Sequence, residues 1–249
     1  MKNYILITVL FISFHGVAQN DNLSVYVGAG GGWMANHFDV SSLNTMIDAY
    51  NKDYNGDFKH FEAFNPGYGI KININSLSNH FAFNGAWNWS KTTQTNTFIR
   101  PNEFGRSFEL KAHDINLTLG FGYGNKIIQI VGDIGFGYRL SEVKSALIFP
   151  DGTKSYGNSN QLNGIFQSAE FPLYYGATLD VKIIKFIHLQ GSFNFNTILF
   201  KGDGTDGFVD NNTGRGRVGD ALPYADGIMQ GQQYSISALI TIPYKNSAD

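Results

Sequence analysis

Three groups of residues carry side chains capable of chemistry. Ser107, Glu109 and His113 place a hydroxyl, a carboxylate and an imidazole within seven residues, the components of an acyl-transfer triad. His37, His60, His80 and His188 add further acid–base groups. In an extended strand Ser107, Glu109 and His113 share one face but spread over about 20 Å at roughly 3.3 Å per residue. Nucleophile and base cannot meet without strong bending, so no catalytic residue is assigned and an enzyme is not expected. The second group is a run of loop carboxylates and amides, Gly202-Asp203-Gly204-Thr205-Asp206-Gly207 and then Asp210-Asn211-Asn212. Such oxygens suit Ca²⁺, but the spacing is not that of an EF-hand and these are also ordinary loop residues. No metal or cofactor is therefore expected. Just beyond, Arg215 and Arg217 either contact lipopolysaccharide phosphates or pair with the neighbouring aspartates. The third group is a balanced set of charges in polar surroundings: Lys71, Arg139 and Lys182 against Asp114, Asp133 and Asp180.

The elements that must hold these residues repeat with a period of two. Tyr68, Ile70, Ile72 and Ile74 alternate with Lys71, Asn73 and Asn75, and Ile115, Leu117, Leu119, Phe121 and Tyr123 alternate with Asp114, Asn116, Thr118 and glycines. Six other segments behave alike, beginning near Leu23, Phe81, Ile128, Leu173, His188 and Gln233. The phase is least clear over Phe108–His113, where a bulge would shift the register. Gly28 to Gly32 is glycine-rich, but no helix follows it, so it reads as a curved strand rather than a phosphate loop. Tight turns are expected near Leu77-Ser78-Asn79, Gly124-Asn125-Lys126 and Lys185-Phe186. Longer polar loops are expected over about 39–63, 98–106, 145–168 and 203–230. Within the first, Ser41 followed by Leu43, Met46, Ile47 and Tyr50 at helical spacing predicts a short amphipathic helix, which either lids the strands or docks on a partner.

Lys2, the apolar run Ile5–Phe14 and the small residues of Gly16-Val17-Ala18 read as a signal peptide over 1–18, leaving one domain over 19–249. The expected fold is all-β: an eight-stranded antiparallel up-and-down transmembrane β-barrel with long extracellular loops and short periplasmic turns. A soluble barrel would point its apolar face inward. Eight strands enclose room only for their own side chains, and the many Trp, Phe, Tyr, Ile and Leu residues would overfill that space. The polar face is Asn, Ser, Thr, Gln and Gly, unlike the Lys/Glu surface of soluble domains. Threading the strands sets Trp33, Tyr68, Trp87, Trp89, Tyr138, Tyr175 and Tyr234 at one height and Phe81, Phe121, Tyr123 and Tyr244 at another, as two membrane interfaces require. The inward charges are then expected to pair and close the lumen, the alternative being an ion or proton path.

The run MKNYILITVLFISFHGVAQ, the first strand VYVGAGGGWM and the hairpin strand LTLGFGYG resemble the small porin-like, PorT-type outer-membrane β-barrel proteins of Bacteroidota. The resemblance implies an integral outer-membrane barrel of eight strands and implies no particular task. The sequence departs from such barrels in carrying Lys245–Asp249 beyond Tyr244. The absence of cysteine removes thiolate chemistry and a lipoprotein anchor, and a net charge of −2 gives no footprint for nucleic acid. Expected partners are outer-membrane lipid, lipopolysaccharide and an outer-membrane protein met through the extracellular loops. The expected role is structural, accessory or surface-interacting, with a narrow channel for small solutes as the alternative and a lipid-modifying enzyme third. Mass spectrometry of the outer-membrane form should find Gln19 as its first residue; an N-terminus at Met1 would contradict the leader.

Overall fold

The computed structural model describes residues 24–99, 104–156, 164–201, 209–210 and 231–244. The expected leader over 1–18, Arg215 and Arg217, and all but residues 209–210 of the Asp-rich loop lie outside them. Eight long strands run antiparallel: β1 (Ser24–Phe38), β2 (Phe64–Ser78), β3 (Phe81–Phe98), β4 (Gly105–Gly124), β5 (Ile128–Ile148), β6 (Gly164–Ile184), β7 (Ile187–Lys201) and β8 (Gly231–Tyr244). Each pairs with the next. β8 returns to β1, from Val25 opposite Tyr244 to Phe38 opposite Gly231, which closes the sheet into a barrel. Two-residue strands at Lys154–Ser155 and Val209–Asp210 extend the β5 and β6 edges at the loop end.

Local chemistry sets the short turns. Asn79 and His80 both take positive φ, 46° and 72°, as a two-residue type I′ hairpin needs, and Asn tolerates that region better than most residues. In the β4–β5 turn, Asn125 Oδ1 accepts the amides of Ile127 and Ile128 at 2.8 and 2.9 Å. The β1–β8 seam depends on glycine in a different way. A Cβ at Gly30 would run into the Ala238 carbonyl, whereas one at Gly191 on β7 would meet nothing within 4 Å.

The pleat sorts side chains as the period predicts. Ile72, Ile74, Phe121, Ile134, Phe136, Leu179, Ile240 and Ile242 point outward and exposed, up to 71% for Ile242, while Asn73, Asn116, Gln190 and Ser237 point inward and buried. An apolar belt encircling the whole wall is uncovered by any other part of the described chain, and water would penalise it heavily. Aromatic pairs rim the belt: Trp33–Phe64, Tyr68–Trp89 and Tyr138–Phe171 at the loop end, Phe81–Tyr123 at the turn end. On β4 the outward apolar run from Ile115 to Tyr123 is nine residues, the length of a tilted transmembrane strand. The protein is an integral β-barrel of the outer membrane.

Two expectations need correction. The strands reach further at the loop end than expected: of the segment 145–168, residues 145–148 and 164–168 belong to β5 and β6, and Phe98 and Gly105–Arg106 of the segment 98–106 belong to β3 and β4, so the connections there are shorter. No bulge occurs at Phe108–His113, because β4 stays in unbroken register with β3 and β5 throughout. The polarity of the faces inverts instead. Phe108, Leu110 and Ala112 point inward and are buried, while Glu109, Lys111 and His113 point outward, where the wall has left lipid for water. Register shifts do occur, at Phe171/Pro172 and Lys182/Ile184.

The inverted stretch exists to hold a lid. Helix α1 (Ser41–Tyr54) fills the barrel mouth, longer than the sequence spacing suggested. Asp39 accepts bonds from the Ser41 amide and hydroxyl at its entry, which holds the Asp39 carboxyl below its ordinary range. Leu43 and Ile47 pack with Phe38, Phe58, Phe61, Phe108, Leu110 and Val143 in one buried cluster. Tyr50 adds edge contacts to Phe58 and Phe108. Asn44 and Asn51, two turns apart on one helix face, each clamp the returning chain with paired bonds to the backbones of Phe61 and Phe58 at 2.7–3.0 Å. The lid, rather than an apolar face left for a partner, is the arrangement found.

Gly30→Ala should lower stability by about 1–3 kcal/mol through overpacking at the seam, and Gly191→Ala should leave it unchanged. Urea unfolding followed by tryptophan fluorescence in detergent measures both, and equal effects would contradict the close approach described for Gly30.

Candidate functional site: a bonded lumen beneath the lid

Below the lid, inward side chains of neighbouring and opposite strands meet in three tiers. In the upper tier Arg139 on β5 is fully buried, and its Nε donates to Asp114 Oδ2 on β4 at 2.8 Å. Its Nη2 donates to the Tyr174 hydroxyl on β6 at 3.2 Å and its Nη1 to Asn196 Oδ1 on β7 at 3.4 Å. The Tyr174 hydroxyl donates to the other Asp114 oxygen, so one guanidinium joins four strands. Glu170 stands directly opposite Arg139 in register. Phe38, a member of the lid cluster, lies 6.0 Å from the guanidinium and links lid to tier.

In the middle tier Lys71 on β2 reaches across the bore, donating to Ser192 Oγ on β7 at 3.1 Å. Ser192 is bonded to Thr178 at 2.9 Å, and Thr178 donates to Asp133. Lys71 and Asp133 are thus connected through two hydroxyls rather than in direct contact. In the lower tier Asp180 on β6 accepts from Gln190 Nε2 at 2.5 Å and from Asn75 Nδ2, again across the bore, at 3.1 Å. Its other oxygen meets His188 Nδ1 at 2.7 Å.

Of the six inward charges expected, five enter these tiers: Lys71, Arg139, Asp114, Asp133 and Asp180. Lys182 does not; it is only half-buried, at the turn end of β6. Three further buried ionisable groups join them, Arg106 and Glu170 unassigned from sequence and His188 named there only for acid–base chemistry. Arg106 donates to Ser145 at 2.9 Å and lies 5.3 Å from the Tyr50 ring under the lid. Glu170 and His188 are the others. Stepping back in twos from Asp114 reaches Arg106, in a segment read as loop, and stepping back from Asp180 reaches Glu170, just ahead of the segment read from Leu173. Among the described residues the buried charges are then Lys71, Arg106 and Arg139 against Asp114, Asp133, Glu170 and Asp180, with His188 bonded to Asp180. Every carboxylate whose bonds are given above is met by donors, which is how buried charge is tolerated.

Ser107, Glu109 and His113 are not brought together. They remain strung along one outward face of an unbent β4: Ser107 accepts from Thr97 and Lys154 at 3.4 Å, and Glu109 pairs with Lys111 at 2.5 Å. The inward glycines of the Gly28–Gly32 run line the lumen wall beside β2 and β8.

No protein-family model matches this sequence, and no curated protein does. Among solved structures, the chain is similar to the attachment invasion locus protein Ail of Yersinia pestis, with 10% identity over 88% of this chain and 97% of that one (TM-score 0.38). It is also similar to Neisserial surface protein A, with 12% identity over 90% and 98% (TM-score 0.34). A major outer membrane protein of Thermus thermophilus has 10% identity over 88% and 99% (TM-score 0.44).

Asp114→Leu should cost about 3–5 kcal/mol, because it leaves the Arg139 charge buried without its carboxylate, and adding Arg139→Met should recover most of that loss. Urea unfolding of the single and double variants measures this; additive losses would mean the pair is not coupled.

Proposed function

We propose that this barrel is a structural, accessory or surface-interacting component of the outer membrane, closed to solute flow. The observation that carries the reading is the set of bonds crossing the bore, Lys71 to Ser192 and Asn75 to Asp180, beneath a packed lid. A conducting lumen would have to break them, and each break strands a buried charge or amide. A non-enzymatic role is supported by Ser107, Glu109 and His113 lying in a line, with Ser107 and Glu109 bonded to partners of their own.

The working face is then the extracellular one. Asp48, Lys52 and Asp53 are exposed on the outer side of α1, and Asp48 also meets His60 at 2.7 Å. A polar, mixed-charge surface of this kind suits a protein partner whose recognition is electrostatic. Lower on the outer wall, Lys91, Lys111 and His113 stand just above Trp89 and Ile115, the height at which lipopolysaccharide headgroups meet the barrel.

In planar bilayers the purified barrel should give no reproducible conductance steps, and replacing residues 41–61 by a flexible linker should leave it closed, because the bore bonds lie below the lid. Stable unitary steps from the unaltered protein would replace this reading with that of a narrow channel. Gentle detergent extraction followed by native sizing should recover it in a larger assembly, weakened by Asp48→Ala/Asp53→Ala.

A further inference from the structure

Lys182 stands at the turn end of the barrel, where it lines a cleft of about 190 Å³ with Lys126, Lys185 and His188. The fold forces this convergence. Lys126 belongs to the β4–β5 turn and Lys185 to the β6–β7 turn, and these turns lie side by side because the Lys182 amide donates to the Ile127 carbonyl at 2.8 Å. The Lys185 ammonium is held 5.1 Å from the Phe186 ring. Ser24, Tyr26, Gln129 and Thr241 complete the polar lining, and none of the lining residues is acidic.

His188 supplies an independent sign of a ligand. It is 4% exposed and its Nδ1 is engaged by Asp180 at 2.7 Å. Its Nε2 has no hydrogen-bond partner among the described residues, and the ring borders the cleft. Among the described residues, the buried Asp180 is taken up by bonds to His188, Gln190 and Asn75. The buried pair therefore presents one ring nitrogen, oriented by a carboxylate, toward a pocket ringed by ammonium groups.

We propose that this periplasmic cleft seats a phosphate group, supplied either by a lipid headgroup of the inner leaflet or as free phosphate. Three flexible ammonium groups around one fixed imidazole match the several acceptor oxygens and the charge of a phosphate. The position, just outside the Tyr123 and Phe81 rim, is the height of inner-leaflet headgroups. The cleft is separate from the extracellular face and does not depend on the role proposed for it.

The test uses the full mature barrel in a detergent without phosphate. Binding of inorganic phosphate is followed by ³¹P NMR, and retention of phosphatidylglycerol by native mass spectrometry. The triple variant Lys126→Gln/Lys182→Gln/Lys185→Gln should weaken binding about tenfold or more. The equally discharged Lys59→Gln/Lys144→Gln/Lys154→Gln should bind like the parent. His188→Gln provides a second, milder loss at the same site, and heat-modifiable gel mobility verifies that each variant is folded. Saturable binding of inorganic phosphate that the cleft variants lose identifies free phosphate as a ligand. Retention of phosphatidylglycerol alone, lost in the same variants, identifies the lipid headgroup. Equal behaviour of the parent and the cleft triple variant toward both probes, whether binding or not, overturns the proposal.

Discussion

A polypeptide inside hydrocarbon has no water to satisfy its amides and carbonyls, so a sheet that enters a bilayer must leave no edge. Pairing of β8 with β1 meets that condition here, and the other features follow from it. Closure with eight strands leaves a bore that a few long side chains such as Arg139, Tyr174 and Lys71 fill, so much of the remaining inner wall is small. At the seam the demand is sharpest, because Gly30 brings its backbone against the Ala238 carbonyl where no Cβ fits. Large apolar side chains are then turned out into lipid, where Ile240 and Ile242 stand in full view of what would otherwise be solvent.

One pleat runs through two solvents, and its polarity reverses where they meet. Along β4 the inward set passes from Phe108, Leu110 and Ala112 to Asp114, Asn116 and Thr118 without a break in register. The outward set passes in the opposite sense, from Glu109, Lys111 and His113 to Ile115, Leu117 and Leu119. Above the membrane the barrel behaves as a soluble protein with an apolar interior, and within it as the reverse. The lid helix is possible only because of this exchange, since Leu43 and Ile47 need an apolar seat and the polar lumen below offers none.

The lumen itself is held by charge rather than by apolar packing. Arg139 ties four strands through Asp114, Tyr174 and Asn196, and Lys71 and Asn75 reach across the bore to β7 and β6. Such pairs contribute little net stability over an apolar filling, but removing one partner is costly, so they favour one packed arrangement over looser ones. The lower tier ends at His188, where the closed interior gives way to the lysine-lined cleft.

Period-two alternation, the tight-turn residues and the crowding of aromatics at two heights were enough to read an eight-stranded outer-membrane barrel from sequence, because lipid imposes one strict rule on every transmembrane strand. The same rule hid the strand extensions. Residues 108–113 alternate too, but with the sense inverted, and without knowing where the membrane ends they read as a bulge, while 145–148, the end of β5, read as loop. The amphipathic pattern of 43–50 showed that an apolar helix face existed, and the tertiary structure decided that the barrel mouth covers it. Inward parity identified Lys71, Arg139, Asp114, Asp133 and Asp180, since side-chain direction in a strand is a local property. Which of them meet, that Lys182 leaves the set, and that Arg106, Glu170 and His188 join the buried charges depend on strand tilt and register between segments more than a hundred residues apart. Those are properties of the closed ring, which no single strand carries.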